Sequence, residues 1–365
     1  MLTFRRALLG ATIFIITIYI IKFSHKPIYA ASVDKSQHPL TDAPSSDGHV
    51  FVSEKSSQHP LIDLSHSSLR EKLSYQYPYE LEIRFPAYIW QTWKFTPASG
   101  EFKESYRPAE ASWTELHPSF IHELITDQVA VHLIRHLYAS IPEILDAYVS
   151  LPLPVLKADF FRYLILFARG GIYADIDTHV LKSAIDWLPE TVPREAIGLI
   201  IGIGSDAGGG DWDTKHSRRL LFCQWTIQSK PGHPVLREII ARITENTLEK
   251  ARNGSLSKFD VQEIPEFTGS VIWTDVIFSF FNDERYFNMT TSTGNITWKD
   301  FTGIKSAKKL GDVAVLPITS FSPGINQVGI DGYDDSLAFV RHEFAGTWKP
   351  EQIQPKDAMK QGDNL

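Results

Sequence analysis

Two aspartates one residue apart, Asp175 and Asp177, end an apolar run that follows a pair of glycines. The run Ile172-Tyr-Ala-Asp-Ile-Asp177 alternates like a strand. Tyr173, Asp175 and Asp177 then share one face, and Ile172, Ala174 and Ile176 take the other, core-facing side. Carboxylates leaving the carboxyl end of a strand stand where open α/β sheets bind ligands. Close together and partly buried, they repel unless a cation lies between them. Oxygen ligands suit a hard ion, Mn²⁺ or Mg²⁺. Such an ion bridges diphosphate oxygens and neutralises a departing diphosphate as a Lewis acid. The bland alternative is a solvated strand edge, because Asp-x-Asp is common by chance.

The elements that must position this pair are legible around it. Asp159 to Arg169 carries Phe160, Phe161, Leu164, Ile165, Phe167 and Ala168, a broad apolar helix face, and Gly170-Gly171 stops that helix. A short strand is expected at residues 87–90. Helical spacing is expected over 121–149, through Val129, Leu133, Ile134 and Leu137. Further strands are expected at 196–203 and 313–317, with a helix over 234–248 between them. This alternation indicates an α/β layered fold.

Composition narrows the partners. The 365 residues are 43% hydrophobic and 22% charged, with a formal net charge of −7 and a pI near 6.0. A mildly acidic chain has no general attraction for nucleic acid. The single cysteine, Cys223, excludes an intramolecular disulfide, and its apolar setting reads as buried and inert. Gly202-Ile-Gly204 follows a strand, but the Gly208-Gly-Gly210-Asp211 that comes next cannot open a helix, so a loop is expected there instead of a dinucleotide site. Asp211-Trp-Asp213 lacks a preceding apolar strand.

The amino terminus reads as an address. Residues 7–21, within the span 7–23, are uncharged and almost wholly apolar, flanked by Arg5, Arg6, Lys22 and Lys26. They form a short signal anchor with a cytosolic tail at 1–6; a signal peptide cleaved near Ala30-Ala31 is the competing reading. Residues 24–80 are expected to be a flexible stem, 81–350 the catalytic domain and 351–365 a polar tail. Sequons at Asn253, Asn288 and Asn295 agree with a lumenal body.

Residues 156–182 resemble the core of glycosyltransferase family 32, retaining enzymes with a GT-A fold, and the wider pattern of the large clostridial glucosylating toxins. Ile89-Trp-Gln-Thr-Trp-Lys94, Val271-Ile-Trp-Thr-Asp275, Leu316-Pro-Ile-Thr-Ser-Phe-Ser-Pro-Gly324 and Arg341-His-Glu-Phe-Ala-Gly-Thr-Trp-Lys349 carry the rest, so the likeness spans nearly all of 85–350. It implies a Golgi or endoplasmic reticulum membrane protein of type II with a lumenal catalytic domain. The activity implied is transfer of mannose from GDP-mannose, in α-1,6 linkage, to an N-linked high-mannose glycan. It also implies site roles. Trp90 stacks on the base or is core. Asp159 and Arg162 face the donor, or form a plain ion pair on a solvated helix. Tyr173 faces the donor. His342 completes the metal shell of Asp175 and Asp177, or is structural. Gly346 and Lys349 approach phosphate. Trp273 and Asp275 face the acceptor, with Trp273 as core the alternative. The competing functions are an inositol-phosphoceramide mannosyltransferase and a non-catalytic accessory subunit of a mannan polymerase complex; a Golgi mannosyltransferase complex is the partner implied.

Overall fold

The computed structural model describes residues 66–207, 217–287, 294–324 and 334–347. The expected anchor, most of the stem, Asp211, Asp213, Asn288, Lys349 and the polar tail lie outside the described residues.

An eight-stranded mixed sheet forms the centre. Its path runs β2 (Ile121–Ile125), β1 (Tyr88–Thr92), β3 (Gly171–Ala174), β7 (Thr226–Ser229), β5 (Leu199–Asp206), β9 (Val313–Leu316) and β8 (Lys308–Leu310), with β6 (Leu220–Phe222) paired to β5. β1 is parallel to β2 and β3, and β5 is parallel to β9; β7 runs antiparallel between β3 and β5. The carboxyl ends of β1, β3 and β5 therefore share one edge. A two-stranded sheet of β4 (Thr178–Val180) and β10 (Val340–His342) sits beyond that edge.

Alternation along the strands sends side chains into two cores. Trp90, Tyr173, Ile201, Ile227 and Val315 enter the larger one. There they meet α3 (Asp127–Leu137), α4 (Pro142–Ser150), α5 (Pro154–Arg169), α6 (Pro234–Arg252) and α8 (Ser270–Phe281). Ile89, Ile172, Ala174, Ile200 and Ala314 enter the smaller core, with Trp113 of α2 (Arg107–Leu116) and Phe321 of α9 (Ile318–Phe321). The remaining helices are α1 (Leu69–Gln76) and the short α7 (Ile264–Phe267). Eleven side chains of α5 are buried, because it lies flat on the sheet beneath the other helices.

Three expectations are corrected. Residues 121–125 form the edge strand β2, not the start of a helix. The Thr126 hydroxyl accepts from the Val129 amide and starts α3 there, and Pro142 at the first turn of α4 divides the remainder in two. Val129 is exposed, while Ala130, Ile134 and Leu137 face the core. The folded region also begins before residue 81: α1 buries Leu73, Arg70 pairs with Glu238 and Glu245, and Tyr77 donates to the Leu137 carbonyl. Finally, Gly202 and Gly204 lie within β5. A Cβ at Gly202 would come within 2.6 Å of the Phe321 ring, so close packing requires the glycine.

Candidate active site

The helix–turn–strand that carries the carboxylates is built on glycine. Gly170 ends α5 at φ 64, and its amide donates to Leu166. Gly171 follows at φ 97, where a Cβ would lie 2.6 Å from the Tyr88 carbonyl oxygen. Only glycine brings β3 this close to β1. β3 then ends at Ala174, earlier than the run through Asp177 predicts. The Asp175 amide donates to Trp225, and Thr178 returns two bonds to the Asp175 carbonyl, closing a turn into β4. Asp175 and Asp177 thus flank a turn, yet their carboxylates still converge. Ile176 packs with Phe102 and Tyr106, not on the Ile172 face.

A buried network holds Asp175. The Tyr173 hydroxyl donates to its Oδ1 at 2.9 Å, and the Thr92 hydroxyl lies 3.1 Å from Tyr173 Oη. Arg162 Nη2 sits 3.2 Å from Asp175 Oδ1 and 2.9 Å from Asp159 Oδ1, while Nη1 donates to the Gln224 carbonyl. Asp159 also accepts from the Thr268 hydroxyl at 2.8 Å and from the Gln224 side-chain Nε2 at 3.3 Å. Arg162 and Asp159 are 4% and 2% exposed, which rules out a solvated surface pair. Burial sets the electrostatics. It raises the Asp159 carboxyl to about 6 against the pull of Arg162 and Thr268. It raises the Asp175 carboxyl as well, again opposed by Arg162. The same depth would lower the Arg162 guanidinium, but Asp175, Tyr173 and Asp159 outweigh it and push it up.

Asp177 is held from the carboxyl-terminal segment. The Glu343 amide donates to its carbonyl, the Ala345 amide to Oδ2 at 3.1 Å, and His342 Nε2 lies 3.2 Å from Oδ1. Burial would raise this carboxyl, but His342 and the Ala345 amide reverse that and hold it below the usual range. Trp225 stacks on His342, with its indole N–H anchored to the Phe321 carbonyl. Asp175, Asp177 and His342 each offer one ligand atom, all within 4.8 Å of one another, and His342 Nδ1 is buried without a hydrogen-bond partner. Two carboxylates and an imidazole fit Mn²⁺ or Mg²⁺.

Other expected residues fall elsewhere. Trp90 is 7% exposed; its indole donates to the Gly170 carbonyl at the amino end of β3, and its ring stacks on Tyr88. Trp273 is fully buried, stacks on Tyr163 and donates to the Cys223 carbonyl. Asp275 forms a two-bonded pair with Arg218. The structure places none of these three against the carboxylates, and each is occupied with core packing or a surface pair. Gly346 has φ 60, four residues after His342. Cys223 is buried as expected, its thiol pushed up to about 12 by burial. Gln224, Thr268 and Thr92 were missed: Gln224 and Thr268 are common polar residues outside any motif, brought to the site by long-range packing, and Thr92 stands inside Ile89-Trp-Gln-Thr-Trp-Lys94 without a distinctive residue type of its own.

A mixed α/β fold with this donor set at the carboxyl edge of its sheet has the residues that could hold a divalent metal ion. Comparison with known proteins specifies the enzyme. Residues 104–193 match the family described as glycosyltransferase sugar-binding region containing DXD motif. The chain is 42% identical to the initiation-specific alpha-1,6-mannosyltransferase of Candida albicans, over 78% of this chain and 77% of that protein. Its namesake in Saccharomyces cerevisiae is 30% identical over 78% and 82%. Inositol phosphoceramide mannosyltransferase 2 of Schizosaccharomyces pombe is 29% identical over 44% of this chain and 39% of that protein. The chain belongs to glycosyltransferase family 32, the family of these initiation-specific enzymes, and is a glycosyltransferase. A sugar-binding region with a DXD motif implies a nucleotide-sugar donor and a divalent metal.

Proposed function

We propose that this glycosyltransferase, a GT-A-type enzyme, transfers mannose from GDP-mannose to the 6-hydroxyl of a mannose on a lumenal N-linked high-mannose glycan, with retention of configuration. The observation that carries this reading is the convergence of Asp175, Asp177 and His342 in a chain so similar to the initiation-specific enzymes over most of both lengths. The far shorter overlap with the inositol phosphoceramide enzyme favours a glycan acceptor over a lipid one.

Asp175, Asp177 and His342 would hold Mn²⁺ or Mg²⁺, which supplies Lewis-acid neutralisation of the diphosphate when bound. The chain's own groups organise that charge. Arg162, fixed between Asp159 and Asp175, sets a permanent positive charge beside the carboxylate and needs no reorganisation as the reaction proceeds. Tyr173 and Thr92 fix the Asp175 rotamer. The Glu343 and Ala345 amides fix Asp177. We assign no base; the leaving diphosphate takes the proton of the attacking hydroxyl. Residues 7–23 would anchor the chain as a type II protein of the Golgi membrane. Among the described residues no helix is long and apolar enough to cross a membrane.

The test incubates the full-length protein in detergent with GDP-mannose, Mn²⁺ and a high-mannose N-glycan, following hexose gain by mass. A one-hexose gain that needs metal and vanishes in Asp175→Ala and Asp177→Ala is expected. Gain on inositol phosphoceramide instead would replace the acceptor. Full activity in both alanine variants would sink the reading.

A further inference from the structure

Phe344 is the one non-glycine residue among the described residues with a left-handed backbone, at φ 50. A phenylalanine there carries strain of about 1–3 kcal/mol, and such strain collects at functional sites. The turn itself has a clear task. It delivers the Glu343 amide to the Asp177 carbonyl and the Ala345 amide to the Asp177 carboxylate, so one aspartate is gripped from both sides of the kink. Glycine would make the same turn without strain. The backbone therefore accounts for the conformation and leaves the phenyl group unaccounted for.

Phe344 is 39% exposed. Its ring centroid lies 4.1 Å from that of His342 and 5.3 Å from Trp225, whose ring stacks on the imidazole at 4.8 Å. A large apolar face is thus left open beside two candidate metal ligands, walled by a second aromatic ring. It has no hydrogen-bonding atom, so what it receives must present carbon-bound hydrogens. Apart from the base, the substrates of such a site offer one flat surface of that kind, the C–H face of a hexose.

We infer that Phe344 is a stacking platform for a hexose ring at the Asp177–His342 side of the site, with Trp225 as its wall. The inference rests on the glycosyltransferase reading. The hexose is either the one transferred or the one accepting it, and the two are separable.

The experiment compares Phe344→Gly, which removes the ring and relieves the strain, with Phe344→Tyr, which keeps the ring. Full-length protein in detergent with Mn²⁺ is titrated with α-mannobiose, GDP-mannose and GDP, following tryptophan emission. The expected result is that Phe344→Gly weakens one sugar ligand about tenfold, leaves GDP unchanged, keeps or raises the melting temperature, and is rescued by Phe344→Tyr. Weakened α-mannobiose assigns the accepting hexose. Weakened GDP-mannose with unaltered GDP assigns the transferred one. Equal binding of all three ligands by the wild type and Phe344→Gly overturns the platform. Failure of the wild type to bind either sugar overturns the platform and the proposed substrates together. Sugar binding that depends on Phe344 in a chain that transfers nothing would keep the platform and discard the proposed function.

Discussion

Arg162 carries its charge at a depth where an unpaired ion costs several kcal/mol, and Asp159, Asp175 and the Gln224 carbonyl offset that cost. The arrangement is asymmetric: removing the arginine strands the buried Asp159 carboxylate and the half-buried Asp175 carboxylate beside it. Arg162→Met should therefore destabilise the fold by about 3–5 kcal/mol in urea unfolding; a variant as stable as the wild type would mean that the pairs contribute nothing. Thr268 offers a finer probe. Thr268→Val keeps volume but removes the hydroxyl that donates to Asp159, and should cost about 1–3 kcal/mol, whereas Thr268→Ser should lose little. The metal set makes a separate prediction. Mn²⁺ at saturating concentration should raise the melting temperature of the wild type, since only the folded chain gathers the three ligands, and excess chelator should reverse the rise. Asp177→Ala should abolish that response; an undiminished shift in the variant would place the ion elsewhere.

At the scale of elements, the α5–β3 junction decides where the carboxylates stand. Gly171 has positive φ, and its missing Cβ leaves room for Tyr88 on β1. Gly171→Ala should cost about 1–3 kcal/mol from strain alone and more from the clash, and should impair the site because β3 leads straight into Asp175. Denaturation midpoints check the first effect and the Mn²⁺-dependent thermal shift the second. This junction was legible in the sequence because its signals are local: an apolar helix face, two glycines, an apolar strand, two aspartates. The end of β3 was not, because the chain leaves the sheet only when β10 arrives from 160 residues away to pair with β4. Thr268 and Gln224 were illegible for the same reason. Each touches Asp159 through packing of the α7–α8 junction and the β6–β7 turn, which no spacing records. Trp90 shows the opposite case. Its motif left base stacking and core packing both open, and alternation along β1 turned the indole into the core.

For the molecule as a whole, the edge opposite the active site contributes to the response to acid. Asp312 lies at the amino end of β9, and its carbonyl accepts from Gly198 and Leu199. Its carboxylate accepts from the Tyr79 hydroxyl and lies 3.4 Å from His233 Nε2. Nearby, the Lys230 ammonium donates to the Leu81 and Glu195 carbonyls. Residues 77–82 are thereby strapped across the ends of β5 and β9, which is why a stretch expected to be stem belongs to the fold. Burial alone would raise the Asp312 carboxyl; His233 and Tyr79 reverse this and take it from 3.8 down to about 2. A folded value below the unfolded one means that the stabilisation is complete above the unfolded value and is lost as the pH falls through the folded one. Its size is about 2.5 kcal/mol, at about 1.4 kcal/mol per pH unit. Other carboxylates also shape the acid limb, so the informative quantity is the difference between wild type and Asp312→Asn in urea unfolding. That difference should be near its full size from about pH 7 to pH 5 and shrink toward about pH 2. A gap that stayed constant across this range would show that Asp312 acts through packing, not through its charge.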